Sequence, residues 1–188
     1  MQLIPVFKIG IWNAWIFMAC FYILPYLIMV IFKKAFKKLC NPPDMNPNKR
    51  EKVMGYIANI ITYIAILYSI FLPFKLGTVW FYIGLAVFLL AVAILVTTVI
   101  NFITTPIDKV VTKGIYGYSR NPMYLSNLLA LIGIGIATAS WIILLFAVIF
   151  IISANTVAIS EEHYCIEKYG DIYKEYLNRT PRWVGIPK

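Results

Sequence analysis

The chain has 188 residues, 61% of them hydrophobic and only 13% charged, with a net charge of +9 and a mean hydropathy of +0.79. Soluble domains carry about 45–50% apolar and about 25% charged residues, so this composition excludes an ordinary water-soluble domain and predicts an all-α polytopic membrane protein. The basic residues fall between apolar runs, as in loops facing anionic membrane lipids. No nucleic-acid-binding motif accompanies them, and no nucleic-acid partner is expected.

Crossing about 30 Å of hydrocarbon takes about 20 helical residues, and about five runs approach that length. The first is residues 9–32, with Pro25 predicted to kink it. It contains "FMAC", which resembles a lipoprotein cleavage box, but the apolar run continues well past Cys20, so a retained helix is expected rather than a cleaved signal. The second run is residues 53–74. A short turn, Lys75 to Thr78, leads into the third, residues 79–103. The fourth begins near Pro122 and ends near Ser140, and the fifth runs from Trp141 to about Ile159. The joint "ATASW" is too short and too apolar for an ordinary loop, which predicts that the last two runs form a tight helical hairpin. One integral-membrane domain over 1–188 is the default. Its three-span part is 1–103, and 104–188 forms a second part holding the unusual polar residues.

Loop 33–52, loop 104–121 and the tail together hold 15 of the 17 Lys and Arg residues, leaving Lys8 and Lys75 for the opposite side. The positive-inside rule then places both loops and the C-terminus in the cytoplasm and the N-terminus outside. Three cysteines without a C-x-x-C pair and a single histidine, His163, predict neither a disulfide framework nor a metal site. Ser119 and Ser126 have no histidine at a hydrolase spacing.

Polar residues gather in three places at the expected cytoplasmic boundary. The first is "GIYGYSRNPMYLSN", residues 114–127, containing Tyr116, Arg120, Asn121, Pro122 and Tyr124. Pro122 suits the first turn of a helix and Asn121 suits its N-cap. The helix start and the Arg120 guanidinium then form either an anion seat or a plain cap beside an arginine reaching for headgroups. The second place is Glu161-Glu162, at the end of the fifth run. Acids there suggest a function, with a solvated helix end as the alternative, and a helix C-terminus disfavours negative charge unless something compensates it. The third is the tail "YGDIYKEYLNRTPRWVGIP". Its Tyr169, Ile172, Tyr173, Tyr176 and Leu177 recur at helical spacing and predict a C-terminal amphipathic interfacial helix, an anchor or a lid. Gly170 is expected to separate it from the fifth helix. If the last two runs form a hairpin, Arg120 and Glu161 return to the same depth. The pair Gly133 and Gly135, with Ala137 and Ala139, reads as close helix packing.

These three elements, in this order and spacing, resemble the integral-membrane methyltransferases, a superfamily that includes isoprenylcysteine carboxyl methyltransferases and phospholipid N-methyltransferases. The resemblance covers about residues 104–185. Asn121 stands where the isoprenylcysteine branch usually has histidine, and "NPMY" looks more like the phospholipid branch. The glycine motif of that branch has no counterpart in "TTVINF". The resemblance implies S-adenosylmethionine as methyl donor, held by Tyr116, Arg120, Asn121, Pro122, Tyr124, Glu161, Glu162 and Arg182, and a lipophilic or membrane-embedded acceptor. Arg120 and Glu162 are the expected catalytic residues. An amine acceptor needs a proton removed, by Glu162 or His163; a carboxylate acceptor needs no base. Two other readings carry different partners. The tail also resembles that of nicotinamide-dependent membrane sterol reductases, and a small non-enzymatic transporter would favour broken helices or ionisable residues in mid-membrane. The sequence does not set the oligomeric state.

Overall fold

The computed structural model describes residues 8–31, 47–106 and 108–186, with the backbone alone of Met29. The lysine cluster within 33–38, Cys40 and most of the turn-rich 41–48 stretch lie outside the described residues. Among the described residues six α-helices follow in order: α1 (Trp15–Ile31), α2 (Lys49–Ser69), α3 (Val79–Thr104), α4 (Pro122–Ala137), α5 (Trp141–Tyr169) and α6 (Asp171–Arg179). No strand occurs among the described residues; Asn13 and Pro73 form an isolated bridge. Of the five expected runs, those in α2, α3 and α5 give helices long and apolar enough to cross a membrane, while α1 and α4 are shorter apolar helices.

The first run, expected as a helix from residue 9, becomes helical only at Trp15. Its opening residues are engaged elsewhere. The Ala14 N–H donates to the Leu72 carbonyl, the Phe74 N–H donates to that of Trp12, and the buried Asn13 amide donates to the carbonyls of Lys8 and Ile70. The same pairing ends α2 at Ser69 rather than residue 74, aided by Pro73, which pushes Leu72 out of helical angles. At its other end α2 starts four residues early. Asn48 and Glu51 form a reciprocal capping box there, which satisfies N–H groups that hydropathy does not register. α1 continues through Pro25 to Ile31.

α3 meets α4 backbone to backbone. A Cβ on Gly84 would overlap the Ala137 nitrogen and sit 2.5 Å from the Gly133 carbonyl, and one on Gly133 would sit 2.8 Å from the Phe88 nitrogen. No side-chain rotation relieves a backbone clash. Gly84→Ala is therefore expected to destabilise the chain by about 1–3 kcal/mol, read as a lower Tm in detergent; an unchanged Tm would mean that these helices do not touch this closely.

The α4–α5 hairpin turns on a Schellman arrangement. Ser140 N–H donates to the Gly135 carbonyl and Ala139 N–H to that of Ile136, with Ala139 at φ 53° in the position glycine usually takes. α5 then runs ten residues beyond its expected end, to Tyr169, so Glu161 and Glu162 lie inside a continuous helix. They stand too far from its C-terminus for the dipole to penalise them. Lys8 and Lys75 lie at the hairpin-turn end of the bundle: Lys75 N–H donates to Ala137, and Lys8 N–H to Phe71. One core of Phe21, Ala65, Phe88, Leu131, Ile143, Phe150 and their neighbours joins α1 to α5.

Candidate active site at the polar end of the bundle

Gly114 brings the first motif into place. Its φ of 62° lies in the left-handed region, and a Cβ there would collide with the Asn101 side chain of α3. A short 3-10 turn, Gly114–Gly117, follows. The chain then passes Arg120 and enters α4 at Pro122, whose missing N–H costs nothing at this first helical position. Asn121 sits at the N-cap, but its side chain makes no cap hydrogen bond. It donates instead to the Arg182 carbonyl, 3.3 Å away.

That bond is one of a set that stitches the tail across residues 116–121. Arg120 N–H donates to the Pro181 carbonyl, and Gly185 N–H to that of Tyr118. Ser119 Oγ donates to the Arg182 carbonyl at 3.3 Å, and Tyr176 Oη to that of Tyr116 at 2.7 Å. α6 turns Tyr173 and Tyr176 inward, leaving Ile172, Lys174 and Glu175 exposed. Its apolar face is thus spent on the bundle. Burial holds the hydroxyls of Tyr173 and Tyr176 protonated well above the ordinary tyrosine range, and burial with the nearby Glu161 charge does the same for Tyr116.

The glutamates divide sharply. Adjacent residues point about 100° apart around a helix. Glu162 is buried between two guanidiniums. Arg120 donates to its Oε1 from Nε at 3.1 Å and from a terminal nitrogen at 3.0 Å. Arg182 donates to Oε1 at 3.0 Å and to Oε2 at 2.8 Å. The other Arg120 terminal nitrogen donates to the carbonyls of Leu177 and Thr180, so the protein takes four of the five N–H groups that a guanidinium carries. The Arg120 side chain is 9% exposed and the Glu162 side chain 7%, against 31% for Arg182. Glu161, on the neighbouring face, accepts a hydrogen bond from Tyr124 Oη at 2.7 Å. That is a neutral donor against a partly buried carboxylate. His163 points outward and is exposed.

The three polar stretches therefore meet at one end of the bundle. Arg120, Glu162 and Arg182 form one cluster, Tyr124 and Glu161 a second, and Tyr116 and Asn121 tie the first to the tail. Sequence reasoning missed the carbonyls of Leu177, Thr180 and Pro181, since a backbone acceptor leaves no mark on residue identity. It also missed Glu51, whose Oε2 accepts from Ser160 Oγ at 2.9 Å while capping α2. There the capping box at Asn48 and Glu51 was a readable signal, although its partner on α5 was not.

Residues 97–172 match the family model described as phospholipid methyltransferase. This match is consistent with the resemblance of that region to the membrane methyltransferases. The matched stretch is less than half of the chain. It contains Arg120, Tyr124, Glu161 and Glu162 and stops short of Arg182. No curated protein matches the chain.

Proposed function

We propose that the protein transfers the methyl group of S-adenosylmethionine to a lipophilic acceptor, at a mouth formed by the start of α4, the acidic turn of α5 and the tail. The methyltransferase match supports this over a reductase or a transporter. The observation that carries it is the contrast between the glutamates: Glu162 is neutralised by two arginines, whereas among the described residues Glu161 has no ion pair and accepts a hydrogen bond from the Tyr124 hydroxyl. A partly buried carboxylate with one neutral partner is short of positive charge, and it suits a sulfonium or ammonium ligand.

When bound, the donor supplies an electrophilic methyl whose C–S electron pair returns to sulfur as the new bond forms. The chain's own residues bind and align. Tyr124 fixes the Glu161 rotamer, so the carboxylate is held ready for the cation. Tyrosine faces near it can add cation–π attraction, worth about 0.5–2 kcal/mol. Holding both reactants in line supplies much of the catalysis in a displacement of this kind. Arg120 and Glu162, expected from the sequence to be catalytic, act here as positioning residues that clamp the tail over the mouth. If the acceptor is an amine, Glu161 is the carboxylate with capacity to take its proton, because every Glu162 oxygen is engaged by a guanidinium. The excess of basic residues in loop 104–121 and the tail supports a cytoplasmic mouth and an N-terminal segment outside.

Equilibrium binding to purified protein separates this reading from its rival. S-adenosylhomocysteine should bind saturably and NADPH should not. Binding of NADPH with none of S-adenosylhomocysteine would point to the reductase.

A further inference from the structure

A groove of about 400 Å³ opens between α1 and α2, lined by Trp15, Met18, Ala19, Tyr22, Ile66 and Ile70. Its lining is apolar almost throughout, and it lies where both helices are flanked by lipid-facing residues such as Ile23, Leu27, Tyr63 and Leu67. Water gains nothing in such a trough; a hydrocarbon chain does. Its inner end is marked by Tyr22, whose hydroxyl crosses to α4 and donates to Asn127 Oδ1 at 2.9 Å.

Depth ties the groove to the mouth. Asn127 lies six residues along α4 from Asn121, a rise of about 9 Å. From Tyr22 to Trp15 is a further seven residues along α1, about 10 Å more. One leaflet is about 15 Å of hydrocarbon deep. A chain whose headgroup sits at Glu161 and Tyr124 therefore passes Tyr22 and enters the groove with its distal carbons.

We propose that the α1–α2 groove is the berth for the distal hydrocarbon chain of the methyl acceptor, so that this N-terminal part of the protein selects acceptors by chain length. The inference rests on the methyltransferase reading, but its first test does not. The full chain, in nanodiscs, is irradiated with a phosphatidylethanolamine bearing a diazirine at the far end of one acyl chain, and adducts are mapped by mass spectrometry. Adducts should concentrate on Met18, Ala19, Tyr22, Ile66 and Ile70 and be displaced by excess unlabelled long-chain lipid. Adducts spread evenly over lipid-facing residues such as Leu89, Leu145 and Val148 would overturn the proposal, because they report ordinary bilayer contact.

A second measurement reads function. Ala19→Trp, or Ile66→Trp if the first variant folds poorly, fills the groove. It should raise KM for dioleoyl phosphatidylethanolamine about tenfold and leave affinity for S-adenosylhomocysteine and KM for a short-chain dibutyryl acceptor unchanged. Equal losses on both acceptors would contradict a chain-length role. A wild-type protein that shows the focused adducts but binds no S-adenosylhomocysteine would keep the berth and refute the methyltransferase.

Discussion

Glu162→Ala is expected to destabilise the folded chain by about 3–5 kcal/mol, the range for removing one partner from a buried ion pair. Two guanidiniums converge on this carboxylate, and Arg120 has almost no access to water once its partner is gone. The tail would lose its tether as well, because Arg120 also holds the carbonyls of Leu177 and Thr180. Thermal unfolding in detergent should show a large fall in Tm for Glu162→Ala and for Arg120→Ala. Arg182→Ala should fall less, since that side chain is 31% exposed and water can replace part of what it gave. A wild-type Tm for Glu162→Ala would show that the cluster does not hold the tail. The consequence for interpretation is direct: loss of activity in an Arg120 variant reports the clamp first, and it says little about contact with the donor.

Glu161→Ala should behave in the opposite way. The fold loses one hydrogen bond from Tyr124, about 1 kcal/mol, and the helix keeps every other contact. Binding of S-adenosylhomocysteine should weaken by about two orders of magnitude, the range for truncating one side of a desolvated charged contact. Glu161→Gln keeps an acceptor for Tyr124 but removes the charge, so it separates the two contributions. If charge is what matters, the glutamine variant should bind as poorly as the alanine variant while unfolding at the wild-type temperature. Calorimetric titration of both variants checks this, and wild-type affinity in both would remove Glu161 from the site.

The parts of the fold that the sequence shows are those whose causes are local. α3 runs from Val79 to Thr104, almost as its apolar run predicts, because Thr78 caps it and nothing interrupts it. Gly170 breaks α5 from α6 with φ 58°, and Pro122 opens α4 where expected. The departures have non-local causes. Residues 9–14 are apolar enough for a helix but pair with residues 70–74, a contact between segments far apart in sequence. α5 outruns its hydrophobic stretch because Arg120 and Arg182 neutralise Glu162 from outside the helix, so falling hydropathy marked an ion-pair cluster and not a helix end. At the polar end of the bundle, motif order was enough to bring Arg120, the glutamates and the tail together. It could not assign their roles. Those depend on which carboxylate faces the arginines, and that follows from the roughly 100° step between adjacent helical residues and from tail carbonyls that every residue type carries.

The most direct test is transfer itself. Membranes containing the protein are supplied with methyl-deuterated S-adenosylmethionine, and the lipid extract is surveyed by mass spectrometry for products heavier by one labelled methyl group. A labelled lipid that forms with the wild-type chain, and not with folded Glu161→Ala protein, is the predicted result. A folded wild-type protein that labels no lipid, or a labelled product that persists undiminished in Glu161→Ala, would contradict it.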